Sequence, residues 1–183
     1  MPARLLVAAA LFTLPPLLGV VLARVRRAGD LAPLRLRPID ALVPLGLAVQ
    51  LVAVGQRATA LALGYVVLLA WAAIRVAVTT GPARLAFSTL LLGGLLNAVP
   101  ILLNGAMPYS ASAGHVAEGV KGVRIDDHTL LPMLGDVIPL PAGKFMSVGD
   151  IVLALGTVLT VSLVLQASPR VARVAAHPTP RGT

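Results

Sequence analysis

The chain has 183 residues, of which 57% are hydrophobic, 12% charged and 3% aromatic, and its formal net charge is +8. A soluble domain carries about 25% charged residues and needs aromatic side chains in its core, so half that charge and few rings exclude a disordered chain and argue against a soluble enzyme. What remains is an all-α integral membrane bundle, for which five apolar segments can be counted.

The first segment runs from about Leu5 to Ala23. Its strongest positive cluster, Arg24, Arg26 and Arg27, follows the apolar run instead of preceding it, and no small-x-small cleavage site precedes Arg24, so it reads as an uncleaved span. Pro15 and Pro16 lie inside it and predict a kink near its middle. The second segment, Ile39 to Val54, is the shortest. The third runs from Thr59 to Ala77, the fourth from Leu85 to Leu103 and the fifth from Val148 to Gln166. A helix of about 19 residues is roughly 28 Å long, close to a hydrocarbon core of about 30 Å. Asp40 and Asp150 each open a span with Gly46 and Gly156 six residues later, but five spans do not divide into two halves and no repeat follows.

The basic residues flank apolar runs and do not cluster with aromatics, which is the pattern of membrane anchoring and not of nucleic-acid binding. With the N-terminus outside, ten of them (Arg24, Arg26, Arg27, Arg35, Arg37, Arg75, Arg84, Arg170, Arg173 and Arg181) are cytoplasmic, against five outside (Arg4, Arg57, Lys121, Arg124 and Lys144). The expected topology is therefore N-out and C-in, in the cell membrane, with residues 1–167 as a five-span domain and 168–183 as a disordered basic cytoplasmic tail. The absence of cysteine excludes a disulfide, a thiolate metal site and a cysteine nucleophile.

The fourth span carries Gly93, Asn97 and Asn104 at offsets that put them on one helical face. Pro100, between the two asparagines, leaves the carbonyl near Leu96 without its usual donor, which an asparagine amide could replace. Asn97 reads either as inter-helix glue or as the polar wall of a binding cavity. Asn104-Gly105 then marks a tight turn needing a positive φ, and Met107-Pro108 an extended exit.

The outer loop, residues 104–147, holds four of the seven acidic residues (Glu118, Asp126, Asp127 and Asp136) and two of the three histidines (His115 and His128). His115-x-x-Glu118 and Asp126-Asp127-His128 match no metal signature, so a solvated polar loop is the better reading and no metal or cofactor is expected. The stretch Thr129 to Pro141 is apolar, yet Pro132, Pro139 and Pro141 forbid a continuous helix. It reads as a segment that is re-entrant or interfacial, with Leu130, Leu131, Leu134, Val137 and Ile138 packed on the bundle. Within it, Asp136 is a carboxylate among apolar neighbours. It either caps loose backbone donors near Gly135, binds a ligand, proton or cation, or is a plain surface charge. Ser147-Val148-Gly149-Asp150 has the spacing of a capping box at the head of the fifth span.

At these motifs the chain resembles a family of small bacterial multi-pass membrane proteins grouped as a domain of unknown function. The resemblance rests on Asn97, on Asn104-Gly105 with Met107-Pro108 and Ser110, on Leu134 to Pro141 (L-G-D-V-I-P-L-P), and on Phe145, Ser147, Gly149 and Asp150. The chain departs at Ala106, Tyr109 and the interposed Met146. The resemblance carries no activity. It implies that Asn104, Met107, Pro108, Gly135, Asp136, Pro139 and Asp150 form one constellation at the outer face.

No nucleophile, P-loop or dinucleotide motif is present, so the expected function is non-enzymatic. The outer loop would pack on spans four and five and bind a small ligand or a membrane-protein partner, beside the lipid bilayer itself. One alternative is a small transporter or ion-coupling subunit using Asp136, and another is a membrane enzyme with Asp136 and His128 as acid and base, for which no nucleophile or cofactor motif is present.

Overall fold

The computed structural model describes residues 2–25, 37–52, 58–110 and 122–166. His115, Glu118 and the basic tail lie outside these residues. Five α-helices are present among them: α1 (Pro2–Val25), α2 (Leu42–Val52), α3 (Ala58–Val78), α4 (Gly81–Asn104) and α5 (Val148–Gln166). Each apolar segment is helical over its described residues, the second opening with a 3-10 turn. The helix α1 runs without interruption through Pro15 and Pro16.

Two helices, α4 and α5, are long and apolar enough to cross a membrane. In α3 the apolar stretch is Ala62–Val78 and in α1 it is Ala9–Val25, both shorter. The helix α2 falls shortest: its 11 residues follow a four-residue 3-10 turn, Pro38–Ala41. Together these cover roughly 24 Å, less than a hydrocarbon core.

The helices pack in the order α2, α3, α4, α5, α1, so the chain's first helix closes against its last. The dense core lies between α3, α4 and α5 and contains Trp71, Ala72, Ala86, Phe87 and Leu163. Trp71 and Phe87 meet edge to face with ring centroids 5.4 Å apart, the arrangement ring quadrupoles favour. Where α4 meets α5, the two backbones come close: a Cβ on Gly93 would lie 2.6 Å from the Leu153 nitrogen, and one on Gly149 would collide with the Asn97 side chain. Small residues at such a seam allow the close approach that packs apolar helices without a hydrophobic driving force.

The connection from α4 to α5 is more regular than its sequence suggests. It contains β1 (Met107–Tyr109), β2 (Gly122–Arg124), β3 (Ile138–Leu140) and β4 (Lys144–Met146). The all-α expectation is corrected to that extent. β1 pairs with β2 in parallel, Pro108 opposite Val123, and β3 pairs with β4 antiparallel, Pro139 opposite Phe145. Pro132 and Pro141 each start a 3-10 turn, at Pro132–Leu134 and Pro141–Gly143. The prolines thus prevent a helix, as expected, by setting turns and short extended pieces.

Candidate functional site

At the end of the bundle that carries the long loop, the head of α5 is built as a capping box. The Asp150 amide donates to Ser147 Oγ at 3.0 Å, and the Ser147 amide donates to Asp150 Oδ2 at 3.0 Å. Two of the helix's otherwise unsatisfied donors are met by this exchange, and the carboxylate sits at the positive end of the helix.

Asn97 of α4 locks this cap from the side. Its Nδ2 donates to Asp150 Oδ1 at 2.7 Å, and its Oδ1 accepts from the Ser147 hydroxyl at 2.7 Å. Ser147 is fully buried and Asn97 nearly so. Each end of the amide has a partner, so Asn97 acts as inter-helix glue and does not present a polar wall to a cavity. Its neighbour Gly149 is required here, since any side chain would occupy the place of the Asn97 oxygen.

Asn104 ends α4. The next residue, Gly105, takes φ 76°, the left-handed conformation that the Asn-Gly pair predicts. Asn104 does not supply the donor that Pro100 withholds from Leu96. Its Nδ2 donates to the carbonyls of Pro100 (2.8 Å) and Leu130 (2.9 Å), and its Oδ1 accepts from the Leu130 amide at 2.8 Å. The side-chain amide thus imitates a peptide unit and binds the loop to the helix end.

β1 is the buried centre of the loop. Met107, Pro108 and Tyr109 are all buried. On one side lies β2, and on the other lies Asp136, whose amide donates to the Pro108 carbonyl at 2.7 Å while its carbonyl accepts from the Ser110 amide at 3.2 Å. Gly135 rests directly against the Pro108 carbonyl, where a Cβ has no room. The backbone of L-G-D is therefore what the fold uses.

The Asp136 carboxylate is left over. It caps no backbone donor among the described residues, which corrects the capping alternative, and it is half-buried, which corrects the surface alternative. Burial, and then the negative charge of Asp150, push its pKa up to about 6. Tyr65 of α3 lies within electrostatic reach of both carboxylates. Sequence reasoning missed Tyr65, for it stands in an apolar helix with no motif around it.

The remaining loop candidates are separate. Asp126 Oδ1 accepts from the His128 amide at 3.0 Å and from the Thr129 hydroxyl at 2.9 Å, forming an exposed turn. These bonds hold its carboxyl below the usual carboxylate range. Asp127 and His128 are exposed at the same turn. Pro139 sits in β3 with its ring exposed. Of the loop's apolar residues, Leu134, Val137 and Ile138 are half-buried as expected, whereas Leu130 and Leu131 are exposed.

A second polar cluster, also missed, lies at the opposite end. Asp40 Oδ2 accepts from the Arg37 amide at 2.7 Å, and its Oδ1 accepts from Trp71 Nε1 at 2.9 Å. Arg75 Nε stands 3.4 Å from the same Oδ1, and the guanidinium carbon is 4.5 Å from the centre of the Phe87 ring. Arg75 is 1% exposed. A residue that the charge pattern reads as flanking is in fact buried, paired and stacked. The i, i+4 spacing of Trp71 and Arg75 was the available signal.

Residues 41–162 match the model of a family of unknown function, DUF5317, and the chain belongs to that family. Neither the curated proteins nor the solved structures contain a match to it.

Proposed function

We propose that this member of a family of unknown function is a five-span membrane protein, N-out and C-in, whose outer cap binds a small ligand or membrane partner offering a positive charge or strong hydrogen-bond donors. It acts by recognition and not by catalysis. The observation that carries this is the Asp136 carboxylate: its backbone is fixed to one edge of β1 by two hydrogen bonds, while its two carboxylate oxygens have no hydrogen bond among the described residues. A half-buried carboxylate beside Asp150 has a positional cost that a cationic or donating partner would offset.

The membrane reading is supported by burial as well as by length. Only 39% of the apolar window of α4 and 22% of that of α5 is buried inside the molecule, so both helices keep apolar side chains partly or fully exposed. A core helix of a soluble protein hides such residues.

Because the chain has no cysteine, topology is open to single-cysteine labelling. A cysteine at Ala113 should react with an impermeant reagent from outside, and one at Ala176 should not. The reverse pattern overturns the orientation. Binding is tested by native mass spectrometry of the purified protein: a bound mass present on the wild type should be absent from a folded Asp136→Asn variant. An adduct equally abundant on both removes Asp136 from the site.

A second reading, a small transporter or ion-coupling subunit, is favoured by one observation: Tyr65, in α3, lies within electrostatic reach of Asp136 and Asp150. Uptake of a labelled cation into liposomes that requires Asp136 would favour transport over recognition.

A further inference from the structure

The loop residues just after the Asp126 turn are held in an arrangement that exposes apolar side chains. The Asn104 amide clamps the Leu130 backbone through both its N–H and its carbonyl. Leu131 follows with φ 52° and ψ 51°, the only non-glycine residue with a positive φ among those described. A leucine adopts this left-handed conformation against its own sterics, so the surroundings must impose it. The 3-10 turn Pro132–Leu134 then closes through hydrogen bonds from the Leu134 amide to the Leu131 carbonyl and from the Gly135 amide to the Pro132 carbonyl, both 3.0 Å. The result is a ledge on which Leu130 is 52%, Leu131 39% and Met133 62% exposed. No charged residue lies between Thr129 and Gly135.

This ledge sits at the end of a helix that carries an apolar stripe. On α4 the exposed large residues Leu85, Leu92, Leu95, Val99 and Leu102 follow one another at helical spacing, so they form one face. Asn104, which grips Leu130, ends the same helix on the other side, on the face it shares with Gly93 and Asn97. From Arg84 to Asn104 the helix rises by roughly 30 Å, the thickness of a hydrocarbon core. With Arg84 at the inner boundary, the ledge stands at the outer one.

We propose that Leu130, Leu131 and Met133 form an interfacial foot seated in the outer leaflet of the bilayer, which fixes the height of the loop cap above the lipid. The inference rests on the five-span reading. Its partner is the lipid surface, since the ledge stands at the level where α4 would leave the hydrocarbon and carries apolar side chains without charge.

The test uses the full chain in lipid nanodiscs, with a fluorescent label on single cysteines introduced as Met133→Cys, Leu95→Cys and Asp127→Cys. The label at Leu95 should be quenched at least twofold by lipids spin-labelled deep in the chain. The label at Met133 should be quenched at least twofold by lipids spin-labelled near the headgroup, and the label at Asp127 only by aqueous iodide. If Leu95 is quenched by lipid while Met133 responds only to iodide, the foot is refuted and the span stands. A Met133 label shielded from both quenchers means that protein, such as a second copy, covers the ledge, and the inference fails. If Leu95 is not quenched by lipid either, the membrane reading fails and the foot with it.

Discussion

Asp40 and Asp150 sit at opposite ends of the bundle in nearly the same local arrangement. Each accepts the backbone N–H of the residue three positions earlier, and each accepts a side-chain N–H from the neighbouring helix, Trp71 Nε1 in one case and Asn97 Nδ2 in the other. The difference lies in the charge around them. Asp40 faces the buried Arg75, which also stacks on Phe87, so that end is balanced. Asp150 lies within electrostatic reach of a second carboxylate, Asp136, and of Tyr65. The same cap therefore serves as a closed structural staple at one end and lies within electrostatic reach of a second carboxylate at the other. An excess charge held near a rigid backbone is where binding is expected, and a balanced buried pair is where stability is expected.

The comparison predicts the largest loss at the balanced end. Asp40→Ala removes the anion beside a buried guanidinium and should cost about 3–5 kcal/mol, read as a lowered unfolding midpoint in detergent. A midpoint within a degree of the wild type would break the assignment of that cluster as the staple.

At the loop end, Gly149→Ala should cost about 1–3 kcal/mol, because the new methyl group must displace the Asn97 oxygen and part α4 from α5. Asn97→Ala should cost about 1–2 kcal/mol by leaving the Ser147 hydroxyl without its acceptor. If the two changes act through one seam, the double variant should lose less than their sum.

The last effect has the opposite sign. Asp136 has a pKa of about 6 in the folded protein, above its unfolded value of about 4. The folded state therefore holds the proton more tightly, and stability falls as pH rises from about 4 to 6, then levels off. Asp136→Asn removes this dependence. It should match the wild type near pH 4 and exceed it by about 1–2 kcal/mol at pH 7.5, a range that allows for partial solvent screening of the half-buried group. A variant less stable than the wild type at pH 7.5 would show the carboxylate to be structural, and would erase the contrast between the two ends.

Features governed by near neighbours were legible in the sequence. The Asn104-Gly105 turn is one, since only a residue free of a Cβ takes φ 76° at no cost. The Ser147–Asp150 cap is another, because its partners are three residues apart. The resemblance nominated Asn104, Met107, Pro108, Gly135, Asp136, Pro139 and Asp150 as one constellation; the structure joins Pro108 to Asp136 through the backbone and leaves Pro139 exposed in β3. The parallel β1–β2 pair was not legible: its strands are three residues long and separated by twelve, and neither shows a period that a short apolar run would not. Arg75 was misread because a charge count assigns it to a helix end without asking what its i, i+4 neighbours and the next helix place around it.

The sequence by itself determined where the helices lie, how α4 ends and α5 begins, and that the prolines between them forbid a further helix. These depend on intrinsic backbone preferences and on bonds spanning a few residues. Only the tertiary structure decided which partner each polar group found: Asn97 the head of α5, Asn104 the backbone of Leu130, Arg75 the carboxylate of Asp40, and Asp136 a strand edge through its backbone, with its carboxylate left over. The physical reason is that a backbone hydrogen bond is the same whatever side chain it joins. Partners far apart in the chain are therefore selected by how the helices pack, and the residue types alone do not record that choice.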